Sequence, residues 1–276
     1  MENLSSVSAA IPLRQKELLD LLSTGARTDG RRLDEYRQIE IVHSVFEKPE
    51  GSASAKIGNT QAVAGVKAEI GEPFPDTPND GVFTVNLELL PHASPSFEPG
   101  PPDESAIEMS RVIDRGLRES KSVAYDQLCI IPGQKVWVVY VDINAMDHDG
   151  NIVDTAGLAA LTAVSHASIP EVQVNGSELK ELDTRRPIPL VQMPVPVTVA
   201  KIGEYLLVDP SLFEETLSDV KITMTTIESG IVASIQKSGP GTVTEDEVLK
   251  VYDLCRRKGN ELREFVRNAK DGGGKK

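Results

Sequence analysis

The chain has 276 residues, 39% apolar and 26% charged, and its 42 acidic residues against 29 basic ones give a formal net charge of −13. A chain of that length buries roughly 70–75% of its unfolded surface, enough for one large domain or two smaller ones. The acidity excludes a surface that is basic throughout, so any contact with nucleic acid needs a local cationic patch or a basic partner, because phosphate neutralisation drives such binding.

Pro12 suits the first turn of a short opening helix, with Leu18, Leu19 and Leu22 as its apolar stripe and Gly25 ending it. Gln38–Phe46 alternates like a strand, and Ser52–Ile57 and Thr60–Ile70 flank Gly58-Asn59 as a hairpin. A Pro/Gly loop covers Gly71–Asp80, Val82–Leu89 alternates again, and Pro91–Pro102 is a second loop. A long helix is predicted from Asp103 to Ala124, then a strand over Lys135–Asn144 and a helix of small residues over Ile152–Ala167. Pro170–Pro196 reads as a linker with turns. Shorter strands follow at Val197–Ile202, Tyr205–Val208, Val220–Thr226 and Ile231–Gln236. The last helix opens on a capping box, Thr244 with Glu247, and buries Val248, Val251, Cys255, Leu262, Val266 and Ala269. The order of elements predicts an α+β protein with two halves of related plan. The division is an N-terminal helical extension over 1–25, a first half over 26–170, a linker over 171–196, a second half over 197–270 and a flexible tail over 271–276.

No run of about 18 apolar residues predicts a membrane span, and Met1 to Pro12 lacks the basic head and apolar stretch of a signal peptide. Cys129 and Cys255 have no metal-ligand spacing around them and read as reduced thiols of a cytoplasmic protein. His43, His92, His148 and His166 are scattered, form no close pair and are given no role.

The most informative stretch is Phe97–Lys121, FEPGPPDESAIEMSRVIDRGLRESK. At about 100° per residue, Ala106, Met109, Ile113, Leu117 and Ala124 share one face. Arg111, Arg115 and Arg118 fall at i, i+4 and i+7 on the opposite face. Asp114 and Glu119 lie four residues from Arg118 and Arg115, so exposed salt bridges explain the row as well as phosphate contacts do. Spacing does not choose between these readings.

RTDGRR at Arg27–Arg32, GSASAKIGNTQAVAGVK at Gly51–Lys67, NLELLPHASPSFEPGPPDE at Asn86–Glu104 and the SRVIDRGLRESK helix together resemble the RNase PH superfamily. More narrowly, they resemble the non-catalytic RNase PH-type subunit of the archaeal exosome, over nearly the whole chain from about Arg27 to the last helix. The resemblance implies an RNase PH-like α+β fold in a hexameric ring where this chain alternates with a catalytic RNase PH-type subunit. The expected partners are that subunit, RNA-binding cap subunits and single-stranded RNA undergoing 3′→5′ phosphorolytic degradation. It also implies that Arg111, Arg115 and Arg118 meet RNA near the partner's active site. Arg31, Arg32 and Lys67 are read as fold or interface residues.

Active members of the superfamily hold the attacking phosphate between a strand and the following helix N-terminus, using Gly, Ser or Thr, and Arg. Here that stretch is Met146–Asp154, MDHDGNIVD, which has three aspartates and no Arg, Lys, Ser or Thr. A phosphate there meets like charges at roughly 1–4 kcal/mol per pair, and Asp154 would satisfy the helix dipole internally. The DHDGN segment reads as no more than a turn, and its spacing does not match a calcium-binding EF-hand loop. By resemblance, the family's two catalytic-site aspartates fall at Glu215 and Lys221, and a lysine cannot act as a carboxylate. Glu214, Glu215 and Asp219 still form an acidic cluster in which a shifted register would revive a metal site; the favoured reading is a solvated acidic loop. No catalytic residue, metal or cofactor is therefore expected. The alternatives are a self-sufficient phosphate-dependent exoribonuclease, and an acidic scaffold of this fold without RNA contact.

Overall fold

The computed structural model describes residues 4–175 and 178–273, with side chains from 13 onward except that of 175. Its strands are β1 Ile39–His43, β2 Gly51–Ile57, β3 Thr60–Gly71, β4 Val82–Leu89, β5 Cys129–Ile131, β6 Lys135–Asp147, β7 Ser168–Asn175, β8 Glu178–Pro187, β9 Val195–Ile202, β10 Tyr205–Val208, β11 Val220–Thr226, β12 Val232–Ser238 and β13 Lys270–Asp271. Its α-helices are α1 Leu4–Leu22, α2 Glu104–Glu119, α3 Ile152–Ser165, α4 Leu212–Leu217 and α5 Glu245–Arg267.

The first half is a mixed sheet ordered β13-β1-β2-β3-β6-β4, with β5 also on β6. β4 runs parallel to β6 and β13 parallel to β1; the other pairs are antiparallel. The second half is an antiparallel sheet ordered β10-β9-β11-β12. Alternation sets the inward faces: Ala62, Ala64, Val66 and Ala68 of β3 are buried, with more accessible residues between them. Helix α3 packs between the two sheets and is buried along almost its full length, which explains its run of small residues. A Cβ on Gly51 would lie 2.3 Å from Ala163 O, so β2 and α3 approach to a distance only glycine permits. One continuous apolar cluster joins both halves through α3 and α5.

Several expectations need correction. The first helix starts at Leu4, so Pro12 lies inside it. Helix α2 ends at Glu119, leaving Ala124 outside its apolar face. The 170–196 linker contains the β7–β8 hairpin, which packs little of either face and so shows no alternation. The supposed acidic loop contains α4, opened by a Ser211–Glu214 capping box. The tail is tied down where it begins, since Asp271 pairs with His43 and Gly272 N–H donates to His43 O at 2.8 Å; 274–276 lie outside the described residues. His43 and His166, distant in sequence, stack with ring centroids 3.9 Å apart. Cys129 and Cys255 are both free. Among the described residues no helix is long and apolar enough to cross a membrane.

Candidate functional site

Strand β6 leads through His148–Gly150 into Asn151, the N-cap of α3, whose φ of +57° is a conformation Asn tolerates better than most side chains. A helix start of this kind offers unpaired N–H groups and a partial positive charge to an anion. The anion here belongs to the protein. Glu215 of α4 accepts the Asn151 N–H at 3.2 Å, and the same Oε1 accepts Lys221 Nζ, on β11, at 3.2 Å. The two positions that the resemblance assigns to the family's aspartates form an ion pair at the mouth of α3.

Asp154, expected to satisfy the helix dipole, has a different task. It is fully buried and accepts from Tyr36 Oη at 2.7 Å, Thr198 N at 3.0 Å, Thr198 Oγ1 at 2.7 Å and the Asn151 side chain at 2.9 Å. Burial pushes its carboxyl up to about 6 in spite of those donors. The DHDGN segment is also more than a turn. Arg37 Nη1 donates to Asp149 O at 2.6 Å and Nη2 to Gly150 O at 3.1 Å, while Thr60 Oγ1 donates to Gly150 O at 2.6 Å. Asp149 lies beside Arg37 (3.8 Å) and Asn59 Nδ2 (3.3 Å).

The arginines around RTDGRR complete a junction that sequence reasoning missed. Arg27, buried, donates through Nε to Glu214 at 2.8 Å, through Nη1 to Val208 O at 2.7 Å and through Nη2 to Asp209 O at 2.8 Å and to Glu214. Arg31 and Arg37 converge on the buried Asp209 carboxylate at 3.0 and 2.8 Å, and Asn151 Nδ2 reaches it at 2.8 Å. The only sequence signal was the density of arginine itself. Arg32 is exposed beside Asp34 (3.6 Å), and Lys67 pairs with Glu50 at 3.1 Å.

The acidic cluster does not converge. Glu214 turns to Arg27, Glu215 to Lys221, and Asp219 accepts from Gln15 at 3.2 Å and Gly203 N at 2.8 Å. Among the described residues, no group of three or more His, Cys, Asp or Glu is placed to hold a metal ion. In front of Asn151 lies a cleft of about 410 Å³, lined by Phe97, Glu108, His148, Glu215 and Lys221 among others. The Phe97 and His148 rings stack at 5.3 Å, and burial lowers the imidazole's pKa.

Helix α2 opens on Asp103, whose carboxylate accepts Ala106 N–H at 2.7 Å, and buries Ala106, Val112, Ile113, Gly116 and Leu117. The three arginines do not stand equally free in a row. Arg111 is exposed. Arg118 is half-exposed beside Asp114 at 3.5 Å and Glu119 at 3.8 Å. Arg115 is half-buried and turns to β12 rather than to Glu119, because α2 packs between β4 and β12. Arg111 and Arg118 border a groove of about 560 Å³ that also holds Asp114, Asp142 and Phe74.

This α+β architecture, with the start of α3 and helix α2 lining one cleft and two of the α2 arginines bordering a separate groove, frames the class. Residues 35–170 match domain 1 of the 3′ exoribonuclease family, RNase PH, and residues 192–258 match its domain 2. The chain belongs to the RNase PH 3′ exoribonuclease family. It is 48% identical to the exosome complex component Rrp42 of Thermococcus onnurineus over 96% of this chain and 98% of that protein. The corresponding component of Methanopyrus kandleri is 46% identical over 92% and 96%. Among solved structures, a chain of the Archaeoglobus fulgidus exosome with RNA bound to the active site superposes with a TM-score of 0.85 at 42% identity, over 93% of this chain and 98% of that one. A chain of an archaeal exosome core gives 0.82 at 39% identity, over 94% and 98%.

Proposed function

We propose that this chain is a non-catalytic, RNA-binding structural subunit of an archaeal exosome core ring. In this reading it alternates with a catalytic RNase PH-type subunit in a hexamer, beneath RNA-binding cap subunits, and supports 3′→5′ phosphorolysis by its partner. The observation that carries it is the Glu215 carboxylate on the Asn151 N–H, neutralised by Lys221. A phosphate entering there would have to displace a carboxylate already hydrogen-bonded in place, a like charge that repels it. The RNA contribution rests on Arg111, Arg115 and Arg118, which supply local positive charge on a chain of net charge −13.

Two measurements test this. The purified chain, given poly(A) and inorganic phosphate, is expected to release no nucleoside diphosphate; robust release would make it a self-sufficient exoribonuclease. In the ring reconstituted with the catalytic partner, replacing Arg111, Arg115 and Arg118 by Ala is expected to weaken RNA binding and flatten its salt dependence, by about 0.7 in log–log slope for each phosphate that is no longer neutralised. An unchanged affinity and slope would reduce the chain to a scaffold.

A further inference from the structure

Arg115 differs from the arginines on either side of it in what holds it. Its Nη2 donates to Ile235 O at 3.2 Å and to Gln236 Oε1 at 3.0 Å. Gln236 is fixed in turn: its Nε2 donates to Glu108 Oε1 at 3.0 Å, and Ser238 Oγ donates to the same oxygen at 2.6 Å. An ionised carboxylate only accepts, so Glu108 selects the amide orientation that turns Nε2 toward itself and Oε1 toward Arg115. With the amide reversed, a donor would face the guanidinium and the hydrogen bond could not form. Helix α2 supplies both ends of this relay and β12 its centre.

The relay leaves part of the guanidinium unused. Arg115 Nε is buried without a partner, and Nη1 makes no hydrogen bond among the described residues. Arg118, by contrast, is drawn toward two carboxylates, and Arg111 is exposed with no hydrogen bond or ion pair among the described residues. Fixing a long side chain before its ligand arrives removes part of the ordering cost of binding.

We infer that Glu108 and Gln236 are positioning residues that hold Arg115 ready for a phosphate of single-stranded RNA, making Arg115 the pre-organised member of the three. This rests on the RNA-binding reading of α2 given above. The test is a double-mutant cycle in the ring reconstituted with its catalytic partner, with affinity for a single-stranded poly(A) oligomer measured over a series of salt concentrations. Gln236→Leu, which keeps bulk but removes the acceptor, is expected to weaken binding on the order of three- to tenfold. It should have no further effect once Arg115→Ala is present, and its effect should add to that of Arg111→Ala. Gln236→Asn with its shorter reach is expected to recover little, and Glu108→Gln, whose amide donates as well as accepts and so no longer selects the orientation of Gln236, should weaken binding, though less than Gln236→Leu. That pattern is not produced by a merely structural role.

If Gln236→Leu disrupts assembly, Glu108→Ala run through the same cycle gives the same reading. Full additivity of either variant with Arg115→Ala overturns the positioning role. So does Arg115→Ala without effect while Arg111→Ala weakens binding, and in that case the RNA reading survives. If no arginine substitution moves the affinity, the RNA reading falls and takes this inference with it.

Discussion

At the scale of single residues, the proposed closure of the α3 start to phosphate rests on Glu215. Its carboxylate joins that start to β11 through Asn151 and Lys221. Glu215→Ala is expected to cost about 1–2 kcal/mol in thermal or denaturant unfolding, as a missing cap and charge-assisted bond. It should also make orthophosphate binding detectable by calorimetry, whereas the native chain is expected to show none. Asp149→Arg alone should create no phosphorolysis, since Glu215 still occupies the Asn151 N–H and, on the proposed reading, Lys221 stands where a carboxylate is needed; measurable nucleoside diphosphate release by that variant would mean the acids are misplaced. Asp154 gives a pH prediction. Burial raises its carboxyl from the ordinary 3.8 to about 6 in the folded chain, so between those values the folded state holds a proton that the unfolded state has released. Its contribution to stability therefore grows as pH falls from about 6 toward about 4. Asp154→Asn should remove that slope from a pH series of unfolding midpoints.

At the scale of elements, those with a buried face could be read and those without one could not. β4 showed its alternation, the Gly58-Asn59 turn marked the β2–β3 hairpin, β10 and β11 were read at their observed bounds, and the Thr244–Glu247 box marked the start of α5. The β7–β8 hairpin was missed because both faces are largely solvated, so nothing enforces a period of two along it. Helix α4, six residues long, is too short for an apolar stripe, although Ser211 and Glu214 form a capping box that could have announced it. The arginine helix was legible as an element, but its neighbours were not: only the packing of α2 on β12 turns Arg115 inward. Gly116 permits the close approach of α2 to the neighbouring β11, since a Cβ there would lie 2.8 Å from Thr225 Oγ1. Gly116→Val should push α2 away from β11, cost about 1–3 kcal/mol by overpacking, and weaken RNA binding by the ring along with the arginines it displaces.

At the scale of the whole molecule, the two halves are joined by apolar packing around α3 and by a buried ionic junction of Arg27, Arg31, Arg37, Asp209 and Glu214. Sequence alone placed these charges more than 170 residues apart and gave no means of pairing them. Such a junction adds little net stability when intact, but removing one member strands its partner. Arg27→Ala should therefore cost about 3–5 kcal/mol in unfolding, whereas replacing Arg27 and Glu214 together by residues that pack well should cost less. An acidic chain suits a ring in which only one helix face meets RNA, because the rest of its surface gains nothing from positive charge. The decisive measurement for a pocket closed to phosphate is a crystal structure of the chain, alone or in its ring, grown in high orthophosphate. Glu215 should remain on the Asn151 N–H with no anion beside it; phosphate bound there, with Glu215 swung away, would show that the pocket is open and the non-catalytic reading mistaken.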